Sequence, residues 1–248
     1  MNRTLKLAVA AAAAVAVVVV GINVLRRDGG GTGGTGVVSP SRVVTPSLSV
    51  SPSLPVSPSQ EPSPSLQTVR ITVAGTELTG SSLQLTAQLP AGWTLEPYGA
   101  YRGSSEPPAG IGLFVSLVDN TFKDPCLHVQ RSPKVGPTRA DAVAALGEIP
   151  NTTATAPVQT TFVGHAATYL ELAIPASLPC QPNQFYLWQD SLDGDWWVRG
   201  PNETIRVWIL EVRGQRVVIA SRSWPGTSDV AKAERQRILD SIVFDGAS

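Results

Sequence analysis

The chain has 248 residues, 19 of them Lys or Arg and 19 Asp or Glu, for a formal net charge of zero and a pI near 6.7. That balance excludes the basic field a nucleic-acid binder needs, and two cysteines exclude a disulfide-dense miniprotein or a four-cysteine zinc module. The length suits one domain plus flanking segments, and 22 glycines and 21 prolines exceed the average share.

The first segment reads as a membrane anchor. Leu7 to Leu25 is nineteen residues without a charge, and a helix needs about twenty to cross the hydrocarbon core. Arg3, Lys6 and the amino terminus precede it, and Arg26, Arg27 and Asp28 follow, so the positive-inside rule favours a cytoplasmic N-terminus. A cleaved signal peptide would need a small-residue site after the apolar core, and Gly21-Ile22-Asn23-Val24-Leu25 offers none. The expected order is a cytoplasmic stub (1–6), a transmembrane signal anchor (7–25), a linker (26–67) and one extracytoplasmic domain (68–248).

The linker is a low-complexity spacer. Asp28 to Gln67 holds ten serines, seven prolines, six glycines and no aromatic residue, too little apolar surface to offset chain entropy, so disorder is expected. A [Ser/Thr]-Pro-Ser triplet recurs every six residues from Ser39 to Ser63. Such a proline-rich chain favours polyproline II and reaches on the order of 90 Å over thirty residues. It reads as a stalk; O-linked sugar or a Pro-binding partner is the sharper alternative.

Thr68 to Ser248 holds all six tryptophans and both cysteines, with a net charge of −3. Leu83, Leu85, Ala87 and Leu89 alternate with polar residues, the period of a half-buried strand, and Ile111 to Val118 is a nearly continuous apolar run suited to a buried one. Val158–Val163 and Ala166–Ile174 flank a turn at Gly164-His165; Phe185–Gln189 and Trp196–Arg199 flank Asp193-Gly194; Ile205–Val212 and Arg216–Ser221 flank Arg213-Gly214-Gln215. Thr138 and Asp141 form a capping box before a helix over 140–146, which Pro150 ends. Near the end, Thr227 or Ser228 caps a second helix whose packed stripe is read as Val230, Ala233, Arg237, Ile238 and Ile242. The fold class is α+β: a twisted antiparallel sheet flanked by two or three helices.

Leu89-Pro90-Ala91-Gly92-Trp93 resembles the Leu-Pro-x-Gly-Trp opening of PsbP-like domains, which are α/β sandwiches on a twisted antiparallel sheet. The closing stretch is similar to the end of many actinobacterial extracytoplasmic domains, through Arg206 to Val212, Gly214 to Ile219, Pro225 to Ser228 and Ile238 to Ile242. Four lysines against fifteen arginines fit a high-GC genome of that group. The resemblance covers the opening motif and the last fifty residues. It implies a PsbP-like sandwich anchored at the envelope and supplies no catalytic residue.

Cys126 and Cys180, each preceded by proline, suit a disulfide in an oxidising compartment. Cys126 and His128 could share a strand face as metal ligands, yet a fourth ligand is missing, and no metal is expected. His165 reads as an exposed turn residue, and no nucleophile elbow accompanies it. Asp190, Asp193 and Asp195 cluster at a turn, but Pro201 stands where a calcium loop would close with Glu, so a solvated hairpin is the reading. Five tryptophans crowd into residues 188–224, and adjacent Trp196 and Trp197 must face opposite sides of a strand. Core packing explains part of this. The functional reading is an aromatic surface with Trp188, Trp197 and Trp208 in contact with an envelope glycan, lipid or peptide. The expectation is a single-pass membrane protein with a non-catalytic ligand-binding or sensor domain, no cofactor and no catalytic residue. The alternatives are a partner-binding component of an envelope complex or regulatory system and, behind it, an envelope hydrolase.

Overall fold

The computed structural model describes residues 65–76, 82–103 and 106–245. The expected stub (1–6), membrane segment (7–25) and linker up to residue 64 lie outside the described residues. No helix among the described residues is long and apolar enough to cross a membrane.

Alternation builds the first strands. β1 (Leu66–Thr72) pairs antiparallel with β2 (Gln84–Pro90), Leu66 opposite Pro90 and Thr72 opposite Gln84. Leu85, Ala87 and Leu89 are buried on one face, and the polar residues between them are half-buried. Ala91 and Gly92, the latter at φ +88°, turn the chain into β3 (Trp93–Glu96), which forms a hairpin with β4 (Gly99–Arg102). β5 (Ile111–Leu117), β6 (Asn120–Asp124) and β7 (Val129–Gln130) follow.

α1 (Arg139–Gly147) opens on the capping box: Asp141 N donates to Thr138 Oγ1 at 3.1 Å, and Thr138 N donates to Asp141 Oδ2 at 2.9 Å. Then come β8 (Thr153–Ala154), β9 (Val158–Phe162), β10 (His165–Ala173), β11 (Tyr186–Gln189), β12 (Asp195–Trp197), β13 (Thr204–Val212) and β14 (Gln215–Ser223). α2 (Asp229–Asp240) is capped by Ser228, whose Oγ accepts from Ala231 N at 3.2 Å, and Asp229 in its first turn favours the positive end of the dipole. β15 (Val243–Phe244) closes the domain against β2.

The strands make three sheets. The largest runs β3-β4-β5-β14-β13-β10-β8, with β9 beside the other half of the β10 edge; the second is β1-β2-β15 and the third β12-β11-β6-β7. Strand pairing is antiparallel, and a parallel bridge from Ala74 to Ser116 links the chain after β1 to β5. The large sheet is covered on both faces at its centre, which is why the middle of β14, Val217 to Ala220, is apolar throughout: Val217 and Ile219 enter one core, Val218 and Ala220 the other. The first core packs Leu113, Val115 and Leu210 against Ile71, Leu85, Ile238 and Phe244, from the small sheet and α2. The second packs Leu172, Val207 and Ile209 against Leu146 of α1, Phe185 just before β11, and Leu187 and Trp188 of the third sheet. Each such side chain contributes about 1.5–3 kcal/mol by leaving water. The result is an α+β sandwich with two α-helices among the described residues.

The structure departs from the sequence reading at several places. β1 begins at Leu66, inside the stretch read as linker to Gln67. The β9–β10 turn is Val163-Gly164, both at positive φ, with Phe162 opposite His165; the two-residue turn that matches strand twist lies one residue before Gly164-His165. The last hairpin turns on Arg213-Gly214, with Val212 opposite Gln215. The packed stripe of α2 is Ala231, Glu234, Arg235, Ile238 and Leu239, whereas Val230 is 61% exposed. Two charged residues lie in that stripe, so a search for apolar spacing lands one position away. Glu234 is held there by the Trp93 indole, which donates to Oε2 at 3.0 Å, and by Arg102, which pairs with the same oxygen. The tryptophan of the Leu89–Trp93 motif thus fastens β3 to α2.

Candidate ligand-binding cleft

The second face of the large sheet is left uncovered at its β3–β5 end. Gly99 lies opposite Phe114, and Gly112 lies opposite Arg222. A Cβ on Gly112 would sit 2.8 Å from Cε2 of Phe114, so the glycine lets that ring lie close over the strand. Across from this floor stands the β11–β12 hairpin, carried by the third sheet. Between them is a cleft of about 350 Å³, the lower end of the size range for small-molecule sites. Tyr98, Tyr101 and Phe114 line it from the sheet side, and Trp196, Trp197 and Arg199 from the hairpin side.

The hairpin is positioned by packing and by its turn. Trp196 stacks on Trp188 with ring centres 6.0 Å apart and meets Phe114 edge-on at 5.8 Å. Trp188 is 2% exposed, and its indole donates to Ser116 Oγ at 3.1 Å, which ties the hairpin to β5. Asp190 Oδ1 accepts from the backbone N–H groups of Leu192 and Gly194, at 2.9 and 3.0 Å, and so holds the turn. Trp197 is left partly exposed, with the Arg199 guanidinium 5.1 Å from its ring centre.

Beneath the aromatic walls lies a buried ion pair. Glu203 is fully buried; its Oε1 is 3.3 Å from Arg222 Nε, and its Oε2 accepts from Arg199 N at 2.8 Å. Burial pushes the Glu203 carboxyl above its ordinary value, against the pull of Arg222, and burial also lowers Arg222 against the pull of Glu203. The Arg222 guanidinium lies 4.5 Å over Phe114, and its Nη2 donates to Trp197 O at 3.3 Å.

The three tryptophans singled out from the sequence do not form one surface. Trp197 lines the cleft. Trp188 is buried in the second core behind it. Trp208 packs with Phe162 and Tyr169 against the first core, on the opposite face of the large sheet. Cys126 and Cys180 form a disulfide, with Cα atoms 5.7 Å apart, fastening the β6–β7 turn to the chain that leads into β11. His128 lies between Phe122 and Tyr186, and its Nε2 is 2.7 Å from Asp195 Oδ2. It is therefore engaged away from Cys126. His165 stands at the start of β10, edge-on to Phe244. Of the aspartates read as a turn, Asp190 is buried in its hydrogen bonds, Asp195 holds His128, and Asp193 sits in the left-handed region at φ 61°.

Arg222, Phe114, Tyr98 and Tyr101 escaped sequence reading. One signal was available: on the β14 period of two, Arg222 continues the inward row of Val218 and Ala220, so an arginine occupies a core-facing position.

No protein-family model and no curated protein matches the chain. Among solved structures it is similar to LpqN, involved in cell envelope biogenesis of Mycobacterium tuberculosis, at 11% identity and a TM-score of 0.39, over 71% of this chain and 91% of that one. It is also similar to the cyanobacterial PsbP of Synechocystis, at 12% identity and a TM-score of 0.35, over 76% of this chain and 98% of that one.

Proposed function

We propose that this is a single-pass membrane protein whose folded domain stands outside the cytoplasm and holds a ligand in the Trp197 cleft without transforming it. The observation that carries the reading is the cleft itself: about 350 Å³, walled by five aromatic rings, with a buried arginine in its wall. The nineteen uncharged residues from Leu7, the Ser/Pro spacer and the Cys126–Cys180 disulfide support an anchored domain in an oxidising compartment. The two aspartates at the cleft are committed to backbone N–H groups and to His128, which favours holding over proton transfer. Trp188 is assigned to packing. Trp208 belongs to a separate aromatic cluster.

The test is a thermal-shift titration of the full-length protein in detergent, kept oxidised, against envelope glycans, peptidoglycan fragments, lipids and divalent cations. A ligand at a hundred times its dissociation constant adds about 2.7 kcal/mol of stability. At this size that raises the midpoint by about 5–10 °C. The rise should vanish in Trp197→Ala and persist in Trp208→Ala. A flat response across the panel would favour a protein partner instead.

A further inference from the structure

The cleft wall holds a cation whose hydrogen-bonding capacity is not filled by the fold. Arg222 is only 6% exposed at its side chain, and a buried guanidinium is costly unless its N–H groups are paired. Its contacts to Glu203 and to Trp197 O are both 3.3 Å. The approach to Glu203 is not aligned as a hydrogen bond, and Nη1 has no hydrogen-bond partner among the described residues. By contrast, the buried aspartate of the wall is satisfied twice over by backbone N–H groups, and Asp195 accepts from His128 and, at 3.4 Å, from Gln189. Arg222 is thus a buried cation of the wall whose N–H groups the fold does not all fill.

A planar guanidinium with open N–H positions matches a carboxylate or a phosphate. What surrounds it narrows the rest of the ligand. Trp197 and Tyr101 line the cleft with aromatic rings, the kind of surface on which the C–H face of a sugar ring rests. The engaged carboxylates of Asp190 and Asp195 keep lone pairs that accept from hydroxyl groups. A fatty acid or other apolar acid would desolvate those carboxylates and give them nothing in return.

We infer that the cleft takes an acidic sugar, its ring against Trp197 and its anionic group on Arg222. This rests on the reading of the cleft as a ligand site and adds the chemical class. Carboxylate and phosphate share the recognition chemistry, and the probes separate them.

The experiment is isothermal titration calorimetry of the full-length protein in detergent with glucose, glucuronate and glucose 6-phosphate. At least one acid should bind about tenfold or more tightly than glucose, as a charge-assisted pair requires, and the tighter of the two names the anion. Arg222→Lys keeps a positive charge beside Glu203 but loses the planar fork, so it should abolish the preference. Trp197→Ala should weaken all binding probes alike. Equal affinity for acidic and neutral sugars overturns the acidic-sugar inference and leaves the cleft reading standing. Sugar binding that is indifferent to Trp197→Ala overturns the cleft reading itself. A preference that survives Arg222→Lys removes Arg222 from the role. No binding of any probe overturns the inference, and the wider ligand panel then decides the cleft alone. The wild-type preference is read without any variant, so a poorly folding Arg222→Lys does not spare it.

Discussion

Removal of the disulfide gives the most quantitative stability prediction. Cys126 and Cys180 are 54 positions apart and both half-buried, so replacing them with alanine opens little core volume. The effect should come chiefly from the unfolded chain, which loses a covalent loop of that length. In the chain-entropy model a loop of this size contributes about 4 kcal/mol. For a domain of about 180 residues, each kcal/mol moves the midpoint by about 2–4 °C, so Cys126→Ala/Cys180→Ala should melt about 8–16 °C below the wild type. Circular dichroism melts of full-length wild type and double variant, both in detergent without reductant, measure this. Adding reductant should bring the wild type down to the variant and leave the variant unmoved. The bridge also fastens β6 to the chain entering β11, so the variant should lose cleft rigidity along with stability. A midpoint within about 3 °C of wild type would refute the loop-closure reasoning, because it would mean that the bridge constrains little in the unfolded chain.

Other substitutions probe other links. Glu203→Ala strands Arg222 in the interior without its counter-charge and should cost about 3–5 kcal/mol in denaturant unfolding; Glu203→Gln, which keeps an acceptor for Arg199 N, should cost less. Leu85→Ala empties a fully buried site facing α2 and should cost about 2–5 kcal/mol, read from the same unfolding midpoints. Ser228→Ala removes the α2 cap and should cost about 1 kcal/mol. The Thr138 hydroxyl and backbone N–H hold the Asp141 carboxyl below its ordinary value of 3.8. That contribution is full above 3.8 and is lost as the pH falls through the lowered value, so melts carried into strong acid should show the gap between Thr138→Val and the wild type narrowing to the share of the Asp141 N to Thr138 Oγ1 cap, which does not titrate.

The framework of the fold was legible because burial writes it plainly. Leu85, Ala87 and Leu89 alternate on a strand with one buried face, and β13 and β14 carry central apolar runs, Val207 to Leu210 and Val217 to Ala220, because both faces are covered there. Thr138, Asp141 and Ser228 announced both helices by local hydrogen bonding that needs no tertiary context. Short strands other than β9, β11 and β12 were not legible. β6 carries one core aromatic, Phe122, and β3 and β4 are four residues each, too brief for a period to show. The stripe of α2 was displaced because Glu234 and Arg235 are buried by partners distant in sequence, among them Trp93 and Arg102. The cleft was half legible: Trp197 was marked by tryptophan density, whereas Phe114 and Arg222 reach it only through the pairing of β5 with β14. Trp188 and Trp208 showed the same density and went to opposite cores, since composition does not say which face a strand presents.

The most direct test of the central claim is a spectrum of the six tryptophan indole N–H groups, ¹⁵N-labelled in the full-length protein, recorded as a ligand from the panel is added. The indole of Trp197 should shift first and furthest, with Trp196 following, while Trp93, held by Glu234, and Trp208, on the opposite face, stay in place. Shifts confined to Trp208, or no indole moving for any ligand, would contradict the assignment of the cleft as the binding site.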